Sequence, residues 1–229
     1  MDVHPKYPPW LPACLRTGWG LSRKINKVYS QQLDQAVINN LLAVEGHTTP
    51  RQCAVLFYFA CSLPAPGRIV EIGSFKGKST VWMAQALKLQ KSTDKIVAID
   101  PHLNTGDRNI VPQYFEESSY ETFLGNVSKT GLTQWVQPVK ETSRQASEIW
   151  NGPIKLIFID GAHRYEDVLT DLTLWEPFVR KNGIIVLHDT KPGNNFPGIR
   201  RAMNEYLKSS PRFKEILQLL NMTIFEKLL

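Results

Sequence analysis

Cysteine is scarce in this chain, with three in 229 residues, and that scarcity excludes a disulfide-stapled or zinc-ribbon scaffold. Cys53 and Cys61 sit in the apolar stretch CAVLFYFAC and Cys14 stands apart, so all three read as reduced packing residues. No run reaches the roughly 18 consecutive apolar residues that a membrane span needs. The start MDVHPKYPPW lacks the basic-then-apolar order of a secretory signal. A cytoplasmic protein without membrane contact is expected. Tracts dominated by proline, glycine or glutamine are missing too, which excludes a low-complexity chain. Positive charge is in excess, +6 with a pI near 9.2. Yet there is no basic run of five, no zinc-finger spacing and no RNP aromatic motif. The excess therefore reads as a solvated basic surface, and nucleic acid is not the expected partner.

What is present suits one large α/β domain: 42% hydrophobic and 21% charged residues over a length that can bury a core and still hold a pocket. Residues 1–20 carry four of the 15 prolines and two tryptophans and read as an irregular arm. An amphipathic helix is expected over 22–44, where Ile25, Val28, Leu33, Val37, Leu41 and Leu42 recur near helical spacing. A second follows from Thr49-Pro50 to Ser62, with threonine as cap and proline at the first helical position. Residues 1–48 thus form an N-terminal arm and helix, and 49–229 the main domain. Beyond Gly67, short β-branched runs alternate with helical segments, the signature of a parallel sheet with crossover helices. Strands are expected at 68–72, 95–99, 136–139, 154–159 and 183–187. Helices are expected at 78–89, 113–127, 142–150 and 165–179. The tail 213–219 and 222–227, turning at Leu220-Asn221, reads as a closing antiparallel hairpin. The fold class is a Rossmann-like, doubly wound, mostly parallel sheet with N-terminal helices. The N-terminal helix and arm also make a homo-oligomer plausible.

The first chemical signal is the run from Arg68 to Thr80, RIVEIGSFKGKST. A strand ends in Glu71-Ile-Gly73, the chain turns through Gly77, and a helix opens with Ser79-Thr80. Glycines there let backbone pass close to a ligand. A dinucleotide pyrophosphate requires G-x-G-x-x-G, which this loop does not have, and the P-loop pattern is not met either. S-adenosylmethionine (SAM) carries a cation and no phosphate, so an acid at the loop suits it. Glu71, Gly73, Ser74, Gly77 and Ser79 are candidate cofactor contacts. Asp100, ending the second strand, can accept both ribose hydroxyls of an adenosyl group. Thr142 and Ser143, after the third strand, fall near the adenine edge or serve as helix caps.

The second signal lies in LIFIDGAHRYEDV and GIIVLHDT. Two apolar strands each finish in polar residues, and if the strands are neighbours, Asp160, His188 and Asp189 offer two carboxylates and an imidazole to one point. That donor set suits Mg²⁺ or Mn²⁺, with Fe, Co or Zn admitted by the histidine. Asp160 also borders the cofactor. His163, on the loop over the same crevice, suits a general base for a hydroxyl acidified by the metal.

These motifs resemble class I SAM-dependent methyltransferases, and more narrowly the group of macrocin-type sugar O-methyltransferases and cephalosporin-hydroxylase-like proteins. The resemblance spans residues 50–207. It rests on V-E-I-G-S-x-x-G-x-S-T from Val70, I-D-P from Ile99, F-I-D-G-x-H-x-Y from Phe158 and G-I-I-x-x-H-D from Gly183. It implies a seven-stranded sheet, SAM held by Glu71, Gly73 and Asp100, a metal held by Asp160 and Asp189, and His163 as base. Macrocin-type relatives have an acid at the position of His188. The expected activity is metal-assisted methylation of a hydroxyl on a small molecule (a sugar, natural product or catechol), with residues 102–108 and 191–196 bordering the acceptor. A non-catalytic binding protein on the same fold and an NAD-dependent oxidoreductase are the alternatives. The second is disfavoured by the lost third glycine and by an acid cluster that hydride transfer does not require.

Overall fold

The computed structural model describes residues 33–103, 118–193, 195–219 and 221–229. The expected arm, Cys14, the first part of the 22–44 helix, residues 104–108 and 113–117, Asn194 and Leu220 lie outside the described residues.

In chain order the elements are α1 (Gln35–Leu42), α2 (Pro50–Ser62), β1 (Arg68–Ile72), α3 (Lys78–Leu89), β2 (Ile96–Ile99), α4 (Tyr120–Lys129), β3 (Val136–Val139), α5 (Ser143–Glu148), β4 (Ile154–Ile159), α6 (Tyr165–Trp175), β5 (Val179–His188), α7 (Pro197–Ala202), β6 (Phe213–Leu219) and β7 (Met222–Lys227). They build one seven-stranded sheet in the order β3-β2-β1-β4-β5-β7-β6. The first five strands pair in parallel, and β7 is antiparallel to both β5 and β6. This is the expected Rossmann-like sheet with its C-terminal hairpin.

The strands β1, β2, β4 and the second half of β5 are mostly apolar at successive positions, Glu71 and Lys155 apart, because both faces are covered. Alternate residues feed two separate cores. Ile69, Ile96, Leu156, Phe158, Ile184 and Val186 pack toward α2 and α3, while Val70, Val97, Ile99, Ile157, Ile185 and Leu187 pack toward α6 and α7. Each such side chain contributes roughly 1.5–3 kcal/mol on burial. Alternation fails once, at Ile154, which joins the second core although Leu156 lies in the first. A register shift between those two residues explains it.

Local chemistry sets the helix ends. α2 opens with a capping box in which Thr49 and Gln52 satisfy each other's backbone N–H groups, a motif stabilising by about 1 kcal/mol. The 22–44 helix is shorter at its described end than expected. Asp34 accepts from Val37 N–H at 2.8 Å, so the helix starts at Gln35 and Leu33 precedes it. Leu33, Ile38, Leu41 and Val44 still join the core around α2 and α3, so residues 33–48 pack as part of the main domain. Expected helix 165–179 stops at Trp175 and gives way to a 3₁₀ turn over Glu176–Phe178, because Pro177 has no N–H to continue the ladder. β5 begins four residues earlier than expected. Val179 pairs with Ile154, the chain bulges, and pairing resumes at Ile184 with Leu156. Among the described residues no helix is long and apolar enough to cross a membrane. Cys53 and Cys61 are free thiols.

Candidate active site

Sheet register gathers the polar residues that the sequence singles out. Ile72 pairs with Ile99 on one side and Ile159 on the other, and Ile159 pairs with Leu187. The residues one step further, Asp100, Gly73, Asp160 and His188, therefore form a row along the carboxyl edge. At about 4.8 Å per strand, Asp160 and His188 are immediate neighbours and Asp100 lies roughly 10 Å from Asp160. The row crosses the point between β1 and β4 where strand order reverses, the crevice in which open α/β sheets bind ligands.

Gly73 is the hinge of this row. Its φ is +85°, and a Cβ there would lie 2.1 Å from the Asp160 carbonyl oxygen, so the two loops touch backbone to backbone. Glu71 points to the α3 side and is fully buried. Its Oε2 accepts from the Thr80 hydroxyl. Burial pushes its carboxyl pKa up to about 8, partly offset by the Ser79 and Thr80 hydroxyls. Its other oxygen, Oε1, and the buried Ser74 hydroxyl have no protein partner among the described residues, and such orphaned groups fit a polar ligand over the loop. Gly77 forms the N-cap of α3.

Asp100 accepts two backbone N–H groups, from Phe75 at 2.8 Å to Oδ2 and from His102 at 2.6 Å to Oδ1. Each carboxylate oxygen has two acceptor positions, so one on each remains for a ribose diol. His102 itself turns inward, only 1% exposed, with Nδ1 at 2.8 Å from the Ser119 hydroxyl. Its ring is thus packed against Ser119, Tyr120 and Phe123, and residues 104–108 of the expected acceptor border lie outside the described residues. Thr142 caps α5 through a box with Gln145, and Ser143 Oγ accepts from Trp175 Nε1 at 2.8 Å. Both hydroxyls thus have structural partners, and for Thr142 that partner makes it a helix cap.

Around β4 and β5 the charges concentrate. Asp160 Oδ1 lies 2.9 Å from His188 Nδ1, and Asp189 Oδ2 lies 3.2 Å from the same nitrogen and 2.9 Å from His163 Nε2. The His163 ring stacks on Phe196, with centroids 4.0 Å apart, which brings this residue of the 191–196 stretch to the site. Asp189 holds a left-handed φ of +55°. Burial works against its carboxylate, but hydrogen bonds from His163 and His188 prevail and hold its pKa below the usual range.

The expected metal set is Asp160, His188 and Asp189. Among the described residues, Asp160, His163 and Asp189 each bring a ligand atom within 4.8 Å of the others, and His188 Nδ1 lies within 3.2 Å of both carboxylates. Ligands about 2.0–2.6 Å from one ion have that spacing, so two carboxylate oxygens and an imidazole fit a divalent cation. His188 is committed elsewhere, with Nδ1 on the carboxylates and Nε2 at 3.0 Å from Gln52 Nε2. Burial lowers its pKa and the two carboxylates outweigh that, favouring the charged ring. The Gln52 amide acts in the opposite sense, since its N–H needs a lone pair on Nε2. The capping box with Thr49 fixes which end of the amide faces the ring.

Two contributors were absent from the sequence reading. Gln52 looked like an ordinary helix residue, and its partner is 136 positions away. Asn221, read only as a turn former, donates from Nδ2 to Asp189 Oδ1 and accepts Lys191 N–H at 2.9 Å on Oδ1. The hairpin turn thereby fixes the last acid of the site.

A family profile described as a methyltransferase domain matches residues 70–190, which covers the end of β1, the loop, Asp100 and the whole acid cluster. An uncharacterised protein of Acanthamoeba polyphaga mimivirus is 28% identical over 137 residues, 59% of this chain and 57% of its own length. The chain thus spans less than two thirds of the curated relatives it matches. Among solved structures, the O-methyltransferase TomG of Streptomyces achromogenes, involved in tomaymycin synthesis and in complex with SAM, superposes with a TM-score of 0.63 at 19% identity, over 89% of this chain and 96% of that one. An O-methyltransferase of Bacillus cereus in complex with SAH gives 0.60 at 18% identity, over 89% and 96%. The chain belongs to the methyltransferase-domain family and carries the class I SAM-dependent methyltransferase fold.

Proposed function

We propose that the chain transfers the methyl group of SAM to a hydroxyl of a small molecule, with a divalent cation, Mg²⁺ by donor chemistry, held by Asp160 and Asp189. The observation behind this reading is the single row of Asp100, Gly73, Asp160 and His188. It sets a ribose acceptor and an acid pair at the two ends of one crevice, about as far apart as an adenosyl group and a reacting oxygen. The matching folds of proteins titled O-methyltransferases point the same way.

When bound, SAM supplies an already activated methyl group and the cation lowers the pKa of the acceptor hydroxyl. The chain supplies orientation. Asp100 holds the ribose diol through its two remaining acceptor positions. Glu71 and Ser74 offer their orphaned oxygens to the amino-acid end. Gly73 keeps side chains out of the approach. His163 takes the hydroxyl proton as the oxygen attacks, and Asp189, 2.9 Å from its Nε2, stabilises the imidazolium that forms. Bringing two reactants into line supplies much of the rate.

The 4.8 Å cluster favours a second role for His163, as third ligand rather than base. Mn²⁺ titration of His163→Ala separates the two: a base leaves Mn²⁺ affinity unchanged, a ligand loses about tenfold or more. The function itself is tested by turnover of methyl-labelled SAM across phenolic, catechol and sugar acceptors, with EDTA and with Mg²⁺ restored. Label should pass to at least one acceptor, stop with EDTA and return with Mg²⁺. Transfer to none of them contradicts the proposal.

A further inference from the structure

We infer that Gln52, on α2, is a positioning residue for the two metal-binding carboxylates, acting through His188, which serves as a strut and not as a ligand. This rests on the metal-site reading above. Gln52 is 1% exposed and lies across the carboxyl ends of β4 and β5. Its orientation is fixed from behind: Oε1 accepts the Thr49 backbone N–H at 2.8 Å and the Thr49 hydroxyl at 2.7 Å. Turning the amide over would set its N–H groups against the Thr49 N–H, so the nitrogen faces the sheet. There it meets His188 Nε2 at 3.0 Å.

An amide nitrogen donates and cannot accept, so His188 Nε2 must be the acceptor. The Nδ1 edge of the ring then faces the acid pair, with Asp160 Oδ1 at 2.9 Å and Asp189 Oδ2 at 3.2 Å, contacts of ion-pair distance outside hydrogen-bond geometry. The Gln52 side chain thus accepts from Thr49 and donates to His188, and the burial of these links makes a broken one costly. Two consequences follow. The Nε2 lone pair of His188 is taken by Gln52 and is not offered to a metal. Both carboxylates lie against one edge of a ring whose position is fixed from behind.

The test has two independent readouts on the full chain. With ¹⁵N-labelled histidine, long-range ¹H–¹⁵N correlation of the metal-free protein should show His188 protonated on Nδ1 and bare on Nε2. The signals are assigned by their loss in His188→Gln, and a proton on Nε2 overturns the inference. Gln52→Glu then reverses the polarity at that contact, because a carboxylate accepts and Nε2 must donate. Mn²⁺ affinity should fall about tenfold, as for other partners that orient metal ligands. SAM affinity, set at Asp100, should stay within twofold. Unchanged Mn²⁺ affinity in a folded Gln52→Glu protein also overturns the inference, and if that variant does not fold, the wild-type spectrum decides. If the wild-type chain binds no Mn²⁺, the metal-site reading fails by itself, while the spectrum still tests the Gln52–His188 lock.

Discussion

Replacing Gly73 by alanine places a methyl carbon 2.1 Å from the Asp160 carbonyl oxygen and 2.5 Å from its carbonyl carbon, on a residue whose φ is +85°. Both penalties apply together. Left-handed backbone costs an L-residue roughly 1–2 kcal/mol, and parting two packed backbone segments adds about 1–3 kcal/mol. The sum, about 2–5 kcal/mol, lowers the melting temperature of a domain of this size by roughly 4–20 °C. Gly152→Ala is the control: φ is +102° there, but no heavy atom comes within 4 Å of the added carbon, so only the conformational part remains. Thermal melts and urea titrations of both variants measure the difference. Because the displaced atoms belong to Asp160, Gly73→Ala should also weaken Mn²⁺ binding, which Gly152→Ala should not. Equal melting temperatures for the two variants, or unaltered Mn²⁺ affinity in Gly73→Ala, would refute the claim that this contact sets the position of the first acid.

Asp100→Asn turns an acceptor of two backbone N–H groups into a group that must present an amide to one of them. Hydrogen bonds to a charged acceptor are worth about 1.5–3 kcal/mol, so SAM affinity measured by calorimetry should drop roughly 10- to 100-fold, and an unchanged Kd would remove Asp100 from the site. Asp160→Asn should weaken Mn²⁺ binding at least tenfold while leaving the Kd for SAM within a few-fold; equal loss of both would mean that the residue acts on the fold. Glu71 carries a pH signature. Its folded pKa is raised from 4.5 to about 8, so between those values the folded state keeps a proton that the unfolded state has lost. Stability must therefore fall as pH rises through that window, by up to about 1.4 kcal/mol per pH unit, and level off above it. Glu71→Gln should flatten that slope in urea denaturation compared at pH 5 and 8, and parallel curves for the two proteins would contradict the buried, protonated acid.

The strand ends were legible because each is a short apolar run finished by a polar residue, and register then does the rest: once β1, β2, β4 and β5 are neighbours, Asp100, Gly73, Asp160 and His188 fall into line. How each histidine meets the acids is a different kind of information. His188 continues β5 and lies between Gln52 on α2 and the acid pair, whereas His163 sits on a loop that folds back to Asp189. Periodicity cannot separate those outcomes, because the partner of each lies on an element distant in sequence. The same distance hides Gln52 and Asn221, whose spacing carries no motif. Element ends shifted where a side chain overrides the pattern: Asp34 caps α1 from inside the expected helix, Pro177 halts α6, and the bulge after Val179 lets β5 start early. The hydroxyls of Thr142 and Ser143 are readable in either role; Thr142 caps α5 and Ser143 accepts from Trp175 Nε1.

The most direct measurement is anomalous diffraction from crystals grown with Mn²⁺ and S-adenosylhomocysteine. The account predicts one manganese peak roughly 2.0–2.6 Å from carboxylate oxygens of both Asp160 and Asp189, with the ribose diol on Asp100 and His188 outside the coordination sphere. Manganese bound through His188, no manganese at the acid pair, or an adenosyl group lodged away from Asp100 would contradict it.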